Sequence, residues 1–356
     1  MAAFTEQTSM MQITMTKPGE WTIDEHAPCP PAPGKGQVLV RTGAIGVCGT
    51  DYHAFKGQQN FFTYPRIVGH ELGVTVVAVG EGVDNVQPGD RCSVEPYYNC
   101  GDCVACRRGR GNCCTNISVI GVHEDGGMRD LFIAPAHKLH RSETLSLEQL
   151  ALVETLCIGA HAVARAAVED GENVLVIGAG PVGMGTAQFA KAAGGNVVVM
   201  DVVEERLAFI REQVGIEHTL NARGEGDAAP AVALPKVCGG DMPTCVIDAT
   251  GNIHSMKAAF NFVAHGGRLV FVGHTKNQIS FDNPLFHSHE MTVMGSRNAL
   301  GADFDRVIAL IEAGKVDVTP WITHRCELKD FVARFAEWKE FPKGLIKAIV
   351  SMPEGK

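Results

Sequence analysis

The sequence predicts a two-domain α/β protein, a β-rich domain joined to a doubly wound parallel sheet, and three observations carry this expectation. The chain has 356 residues, more than one hydrophobic core usually serves. Residues 11–150 read as short β segments broken by Gly and Pro. From about Glu172, continuous apolar strands alternate with helical stretches, the pattern of a parallel sheet covered on both faces.

In chain order, GQVLVRTGAIGV (36–47), GVTVVAVG (73–80) and GDRCSVEP (89–96) are rich in Val and Ile and bounded by turn residues. They mark strands of a barrel-like or irregular β domain. The first ten residues read as a loose extension. NVLVIGAG (173–180) is a buried strand entering a Gly-rich turn, and VGMGTAQFAKAAG (182–194) has helical spacing. NVVVMD (196–201), EERLAFIREQVG (204–215), CVIDATG (245–251), a helix near 253–264 and GGRLVFVG (266–273) continue the alternation. DFDRVIALIEAG (303–314) reads as another helix. The tail beyond it is too short for a third domain and is expected to pack on the first.

Composition narrows the function. Hydrophobic residues make up 45% of the chain and charged ones 20%, as in ordinary folded proteins. A net charge of −9 has the wrong sign for phosphate backbones, so no nucleic-acid partner is expected. The start, MAAFTEQTSMMQITM, lacks a basic stretch before an apolar core, and no run of about 18 apolar residues is seen. Neither a secretory signal nor a membrane span is expected, and the compartment is expected to be cytoplasmic. There, twelve cysteines that cluster are more often metal ligands than disulfides.

Gly178, Gly180 and Gly183 form G-x-G-x-x-G between a strand and a helix, and Asp201 ends the next strand 23 residues after Gly178. Gly178 allows a tight turn, Gly180 lets backbone approach a pyrophosphate, and Gly183 lets the helix lie close. Asp201 can accept hydrogen bonds from ribose hydroxyls and would repel a 2′-phosphate. No Arg follows at once, although Arg206 lies further along, so NAD is favoured over NADP. Pro181 and Val182 complete the turn; Thr250, Gly273 and Arg297 are further cofactor candidates. The competing reading is a Gly-rich turn without ligand.

Cys100, Cys103 and Cys106 are spaced C-x2-C-x2-C, with Cys113 and Cys114 close behind. Four thiolates in so short a segment suit a closed tetrahedral zinc site that holds a loop together. Adjacent side chains diverge, so one of Cys113 and Cys114 should ligate, and spacing does not choose which. A disulfide is the competing reading.

The remaining signals are Cys48, Thr50, Asp51 and His53 in GVCGTDYH (46–53), His70 and Glu71 in YPRIVGHE (64–71), and Glu154 in ALVET. Together with the four-cysteine lobe, GAGPVG (178–183) and DATG (248–251), they resemble the zinc-dependent medium-chain alcohol and polyol dehydrogenases over almost the whole chain. GVHEDGGM (121–128) and GSRNAL (295–300) are most similar to the branch of sorbitol, threonine and hexonate (L-gulonate or L-galactonate) 5-dehydrogenases. The resemblance implies an α/β fold made of a GroES-like β-rich catalytic domain plus a Rossmann NAD-binding domain. The catalytic domain would span 1–160 and 300–356, with a structural-zinc lobe at about 96–116, and the Rossmann domain 161–299.

The resemblance further implies that Cys48, His70 and an acidic residue hold a catalytic zinc in the interdomain cleft. Glu71 is the first choice for that carboxylate and Glu154 the second, with Thr155 where a proline is often found and Cys157 a nearby competitor. It also selects Cys114 for the structural zinc, giving two zinc ions per chain. A zinc with an open position acts as a Lewis acid on an alcohol, and hydride passes to NAD. Thr50 lies two residues after Cys48, so in an extended segment the two would share a face. Thr50 and His53 would then carry the alcohol proton outward, a relay the resemblance supports, with a local cap and a surface imidazole as the bland alternatives. Asp51 reads as a supporting carboxylate.

Arg297, Arg66, His123 and Lys56 are candidate anion contacts, or solvated charges. The expected activity is oxidation of a secondary alcohol of a polyol or hexonate. Alternatives are a threonine-type or general secondary-alcohol dehydrogenase and, more remotely, a catalytically silent dinucleotide-binding protein. The resemblance implies a homodimer or homotetramer built partly through the Rossmann domains.

Overall fold

The computed structural model describes residues 9–59 and 62–352. The chain forms two compact units: Met1–Glu154, Leu300–Gly314 and Val318–Lys356 in one, and Thr155–Ala299 with Lys315–Asp317 in the other. The division falls at Glu154 rather than at residue 160, and 315–317 join the second unit.

The first unit begins with an antiparallel pair, β1 (Ser9–Lys17) and β2 (Glu20–Pro28). Ser9 and Met10 therefore belong to a strand rather than to a loose extension. Met10 is buried with Ala27, Leu39 and Leu131, an apolar contact that a residue-by-residue reading of the terminus does not reveal. Residues 1–8 lie outside the described residues. β3 (Gln37–Val47) is buried along most of its length, as a central strand should be. α1 (Gly49–Phe55), β4 (Arg66–Ile67), β5 (Glu71–Val79) and β6 (Arg91–Val94) follow. The short pair β7 (Tyr97–Tyr98) and β8 (Ser118–Val119) brackets the cysteine lobe, which contains α2 (Val104–Arg107). β9 (Leu131–Pro135) and β10 (Leu139–Ser142) complete this stretch.

α3 (Leu147–Ala166) was not evident from periodicity. It is long and apolar enough to cross a membrane by length and composition, although Glu148, Glu154, His161 and Arg165 leave it without an unbroken apolar run. Its most apolar window is 72% buried inside the protein, and a helix apolar on most sides is what a core position selects.

The second unit alternates β11 (Asn173–Ile177), α4 (Pro181–Ala192), β12 (Asn196–Asp201), α5 (Glu204–Phe209), β13 (His218–Asn221), α6 (Pro230–Val237), β14 (Cys245–Asp248), α7 (Ile253–Ala258), β15 (Arg268–Phe271), α8 (Asn283–Ser288) and β16 (Thr292–Gly295). Its six-stranded parallel sheet has the order β13-β12-β11-β14-β15-β16. The order reverses between β11 and β14, where open parallel sheets bind ligands beyond the carboxyl ends of their strands.

The chain then returns to the first unit through α9 (Gly301–Glu312), β17 (Ile322–Glu327), α10 (Phe331–Trp338) and β18 (Lys347–Ser351). β18 enters the main sheet between β3 and β17. Phe331 and Phe335 of α10 meet Trp21 edge-on, each with ring centroids 5.2 Å away, which ties the returning segment into the core.

Candidate active site

Three adjacent strands bring the candidate ligands together. β3 delivers Cys48 at its end, where the residue caps α1 in an extended conformation (φ −92°, ψ 155°). β5 begins at Glu71, directly after His70, and its register sets Glu71 opposite Gly46 of β3. One ligand atom each from Cys48, His70 and Glu71 lie within 4.8 Å of one another. Gly46 is essential to this arrangement: a Cβ there would sit 2.0 Å from the Glu71 Oε2.

Around this group are residues with supporting roles. Asp51 accepts the Cys48 backbone N–H at 2.9 Å through Oδ2, while its Oδ1 lies 4.0 Å from the His70 Nδ1. The Asp51 Oδ1 and the His70 Nδ1 are both buried without a hydrogen-bond partner. Lys347 of β18 places its Nζ 2.5 Å from the Glu71 Oε1, with both side chains buried. Glu154 stands outside the three-residue group and accepts a hydrogen bond from the buried Tyr97 hydroxyl. Lys347 and Tyr97 were not anticipated. Each meets its partner only through strand packing, so no local spacing announces them.

The group holds more acids than bases. Burial pushes the Asp51 and Glu154 carboxyls up. Burial alone would lower His70, but the Cys48 sulfur, Asp51 and Glu154 hold it well above its ordinary value. Lys347 is likewise raised, burial being outweighed by Glu71 and Cys48. Four acidic groups thus face one lysine and one histidine. A divalent cation is the countercharge such a pocket calls for, and its S, N and O donors fit zinc. A carboxylate beside the second nitrogen of a ligating histidine is the usual outer support.

Thr50 and His53 require a correction. Cys48 is the cap and Thr50 is already helical, so residues 48 and 50 do not share an extended face. Thr50 and His53 instead lie three residues apart on α1, one turn along the same side. Thr50 is half-buried and His53 exposed.

In the cysteine lobe, the sulfurs of Cys100, Cys103, Cys106 and Cys114 all lie within 4.8 Å of one another. Cys103 and Cys106 are 3.5 Å apart, Cys114 and Cys100 3.4 Å. A disulfide needs about 2.05 Å, whereas tetrahedral zinc with 2.3 Å bonds spaces its sulfurs about 3.8 Å apart. All twelve cysteines are free, and Cys113 is exposed outside the group. Backbone N–H groups of Cys106 and Thr115 directed at the Cys103 sulfur hold its thiol down at about 5. At Cys114 the Cys100 backbone N–H would lower the thiol, but burial and the neighbouring Cys100 and Cys106 sulfurs outweigh that and push the thiol up to about 11.

In the second unit, Gly178 adopts φ +107°, and a Cβ on Gly183 would lie 1.7 Å from the Gly178 oxygen. Gly180 caps α4, whose first residues are Pro181 and Val182, and a Cβ there would meet nothing within 4 Å. Space left open above a helix N-terminus is where a pyrophosphate is held. Asp201 ends β12; its oxygens accept the backbone N–H groups of Ala179 (2.6 Å) and Val203 (2.9 Å). Its carboxylate therefore also shapes the turn. Thr250 bonds the buried Asp248 through both N–H and hydroxyl, and Gly273 packs against Gly251. Arg206 lies in α5 and Arg297 is exposed after β16.

Residues 34–144 match the Alcohol dehydrogenase GroES-like domain and residues 181–313 the Zinc-binding dehydrogenase domain. L-galactonate-5-dehydrogenase from Escherichia coli K12 is 39% identical over 321 residues, covering 90% of this chain and 93% of that protein. The 2-dehydro-3-deoxy-L-galactonate 5-dehydrogenase of Pseudoalteromonas atlantica is 30% identical, covering 90% and 92%. Among solved structures, the alcohol dehydrogenase rspB from E. coli CFT073, complexed with NADH, superposes with a TM-score of 0.88 at 28% identity. It covers 97% of this chain and 100% of its own. The chain belongs to the zinc-dependent medium-chain alcohol dehydrogenase family. It is an oxidoreductase acting on CH–OH groups of small molecules, in a family whose cofactors are zinc and a nicotinamide dinucleotide.

Proposed function

We propose that this enzyme oxidises a secondary alcohol of a polyol or sugar acid, a hexonate in particular, to the ketone with NAD. The carrying observation is the Cys48, His70 and Glu71 group, one ligand atom of each lying within 4.8 Å of the others; the 39% identity to an L-galactonate-5-dehydrogenase supports the substrate class. Cys48, His70 and Glu71 would hold a catalytic zinc, with Glu154 the alternative carboxylate. Cys100, Cys103, Cys106 and Cys114 would hold a structural one, making two per chain. When bound, the catalytic zinc polarises the alcohol oxygen and NAD accepts the hydride.

The chain's own residues do the rest. Asp51 places a carboxylate 4.0 Å from the His70 Nδ1, and Lys347 holds Glu71. Thr50 would take the alcohol proton while giving up its own, and the exposed His53 would release a proton to solvent. Asp201 would accept the ribose hydroxyls of NAD and disfavour a 2′-phosphate. Twelve free cysteines suit a reducing cytoplasm. A homodimer or homotetramer is supported by the edge strand β16, whose Val293 is 39% exposed, since such an edge can pair with a second copy.

The test is NAD reduction across hexonates, polyols, threonine and simple alcohols. A hexonate should be fastest. Preference for threonine would replace this reading with the threonine-type one, and uniformly weak rates would place the substrate outside this panel.

A further inference from the structure

We propose that Asn99 is a positioning residue for the four-cysteine site, held in its donating orientation by the buried Lys138–Glu95 pair. This rests on the reading of Cys100, Cys103, Cys106 and Cys114 as a zinc site.

The Asn99 Nδ2 lies 3.5 Å from the Cys106 sulfur, within reach for a sulfur acceptor. Its Oδ1 lies 3.4 Å from the Lys138 Nζ. An amide side chain can be flipped, and its partners decide which end faces where. Lys138 can only donate, so it fixes the amide oxygen on its own side. The amide N–H groups then face Cys106, whose thiolate can only accept. Gly111 leaves room for this: a Cβ there would come within 3.3 Å of the Asn99 Cγ.

Lys138 is itself held. Its Nζ lies 2.5 Å from the Glu95 Oε1, and both side chains are buried. A buried ammonium needs such a partner. The Glu95 Oε2 lies 3.5 Å from the His140 Nε2, and the His140 Nδ1 lies 2.7 Å from Asp305 of α9. His140 stacks on Phe304 with centroids 4.9 Å apart. The orientation of one surface amide is thus anchored in the core of the first unit. A hydrogen bond to a metal-bound thiolate draws electron density from it and retains the metal, the task outer partners perform at metal sites.

The test uses the purified holoenzyme. Zinc release to a chelator is followed for the wild type, Cys106→Ser, Asn99→Asp and Asn99→Ala, together with the thiolate-to-metal charge-transfer band of the cobalt(II)-exchanged proteins. Cys106→Ser should remove one zinc per chain; unchanged zinc content there would defeat the zinc-site reading itself. With that reading intact, Asn99→Asp, nearly isosteric but unable to donate, should release the lobe zinc about 10–100 times faster. Asn99→Ala should do the same, with the band moved to longer wavelength. Wild-type release rates in both variants would overturn the proposal. So would faster release with an unmoved band, which would mean Asn99 only packs the lobe.

Discussion

Gly46 lies opposite Glu71 between β3 and β5, and Lys347 reaches the same carboxylate from β18, on the other side of β3. Because a Cβ at Gly46 would come within 2.0 Å of the Glu71 carboxylate, Gly46→Ala must displace one or the other. We expect it to lower stability by about 1–3 kcal/mol, as overpacking does, and to reduce zinc content; thermal unfolding and metal analysis read both. An unchanged protein would mean that Glu71 has another place to go. Cys48→Ser should reduce turnover by more than the about 10–100-fold typical of changes outside the ligand set. NAD binding, measured by fluorescence titration, should stay near wild type because the Gly178–Gly183 turn is untouched. Retained turnover would remove Cys48 from the mechanism.

At the level of elements, the parallel sheet of the second unit is clamped at its amino ends. Arg268, opening β15, donates to both oxygens of Glu172, just before β11, at 2.7 and 2.6 Å. Thr244 adds a bond at 2.5 Å. Burial pushes the Glu172 carboxyl up, but the Arg268 and Thr244 bonds outweigh it and hold the group below its ordinary value. A lowered carboxyl contributes its full stabilisation above the unfolded-state pKa, about 4.3. The contribution is lost as pH falls through the folded-state value. Glu172→Gln should therefore cost about 1–3 kcal/mol at neutral pH. The gap from wild type should close below about pH 4. Urea melts at both pH values measure it, and a gap that persisted in acid would assign the stabilisation to packing. The cysteine lobe behaves differently as an element: with two-residue strands β7 and β8 and a one-turn helix, it has little core, so its order depends on the four thiols.

For the whole molecule, the metal content is the most direct measurement. Two zinc ions per chain are expected from elemental analysis, falling to one in Cys106→Ser. One in the wild type would leave one of the two clusters without metal. The edge strand β16 makes a separate prediction: Val293→Lys should shift light-scattering mass toward the monomer, since a charge on an edge strand opposes pairing. An unchanged mass would place the contact elsewhere.

The features legible in the sequence are those whose geometry is local. The C-x2-C-x2-C spacing and G-x-G-x-x-G each lie within a few residues, so chain connectivity alone brings their atoms together. Strand and helix alternation after Glu172 is read from periodicity for the same reason. α3 escaped because a helix buried on most sides shows no amphipathic stripe. Thr50 escaped differently: the helix starts two residues earlier than an extended reading assumes, at a cap whose partner is the Asp51 carboxylate. Lys347 stands 276 residues from Glu71, and Tyr97 stands 57 from Glu154. Their meeting depends on which strands become neighbours and in what register, and that is settled only when β18 takes its place beside β3. Residue chemistry and short-range spacing determined the cysteine cluster, the Gly-rich turn and the family resemblance. Tertiary pairing decided that Glu71 lies beside Cys48 and His70, and which buried cation holds it there.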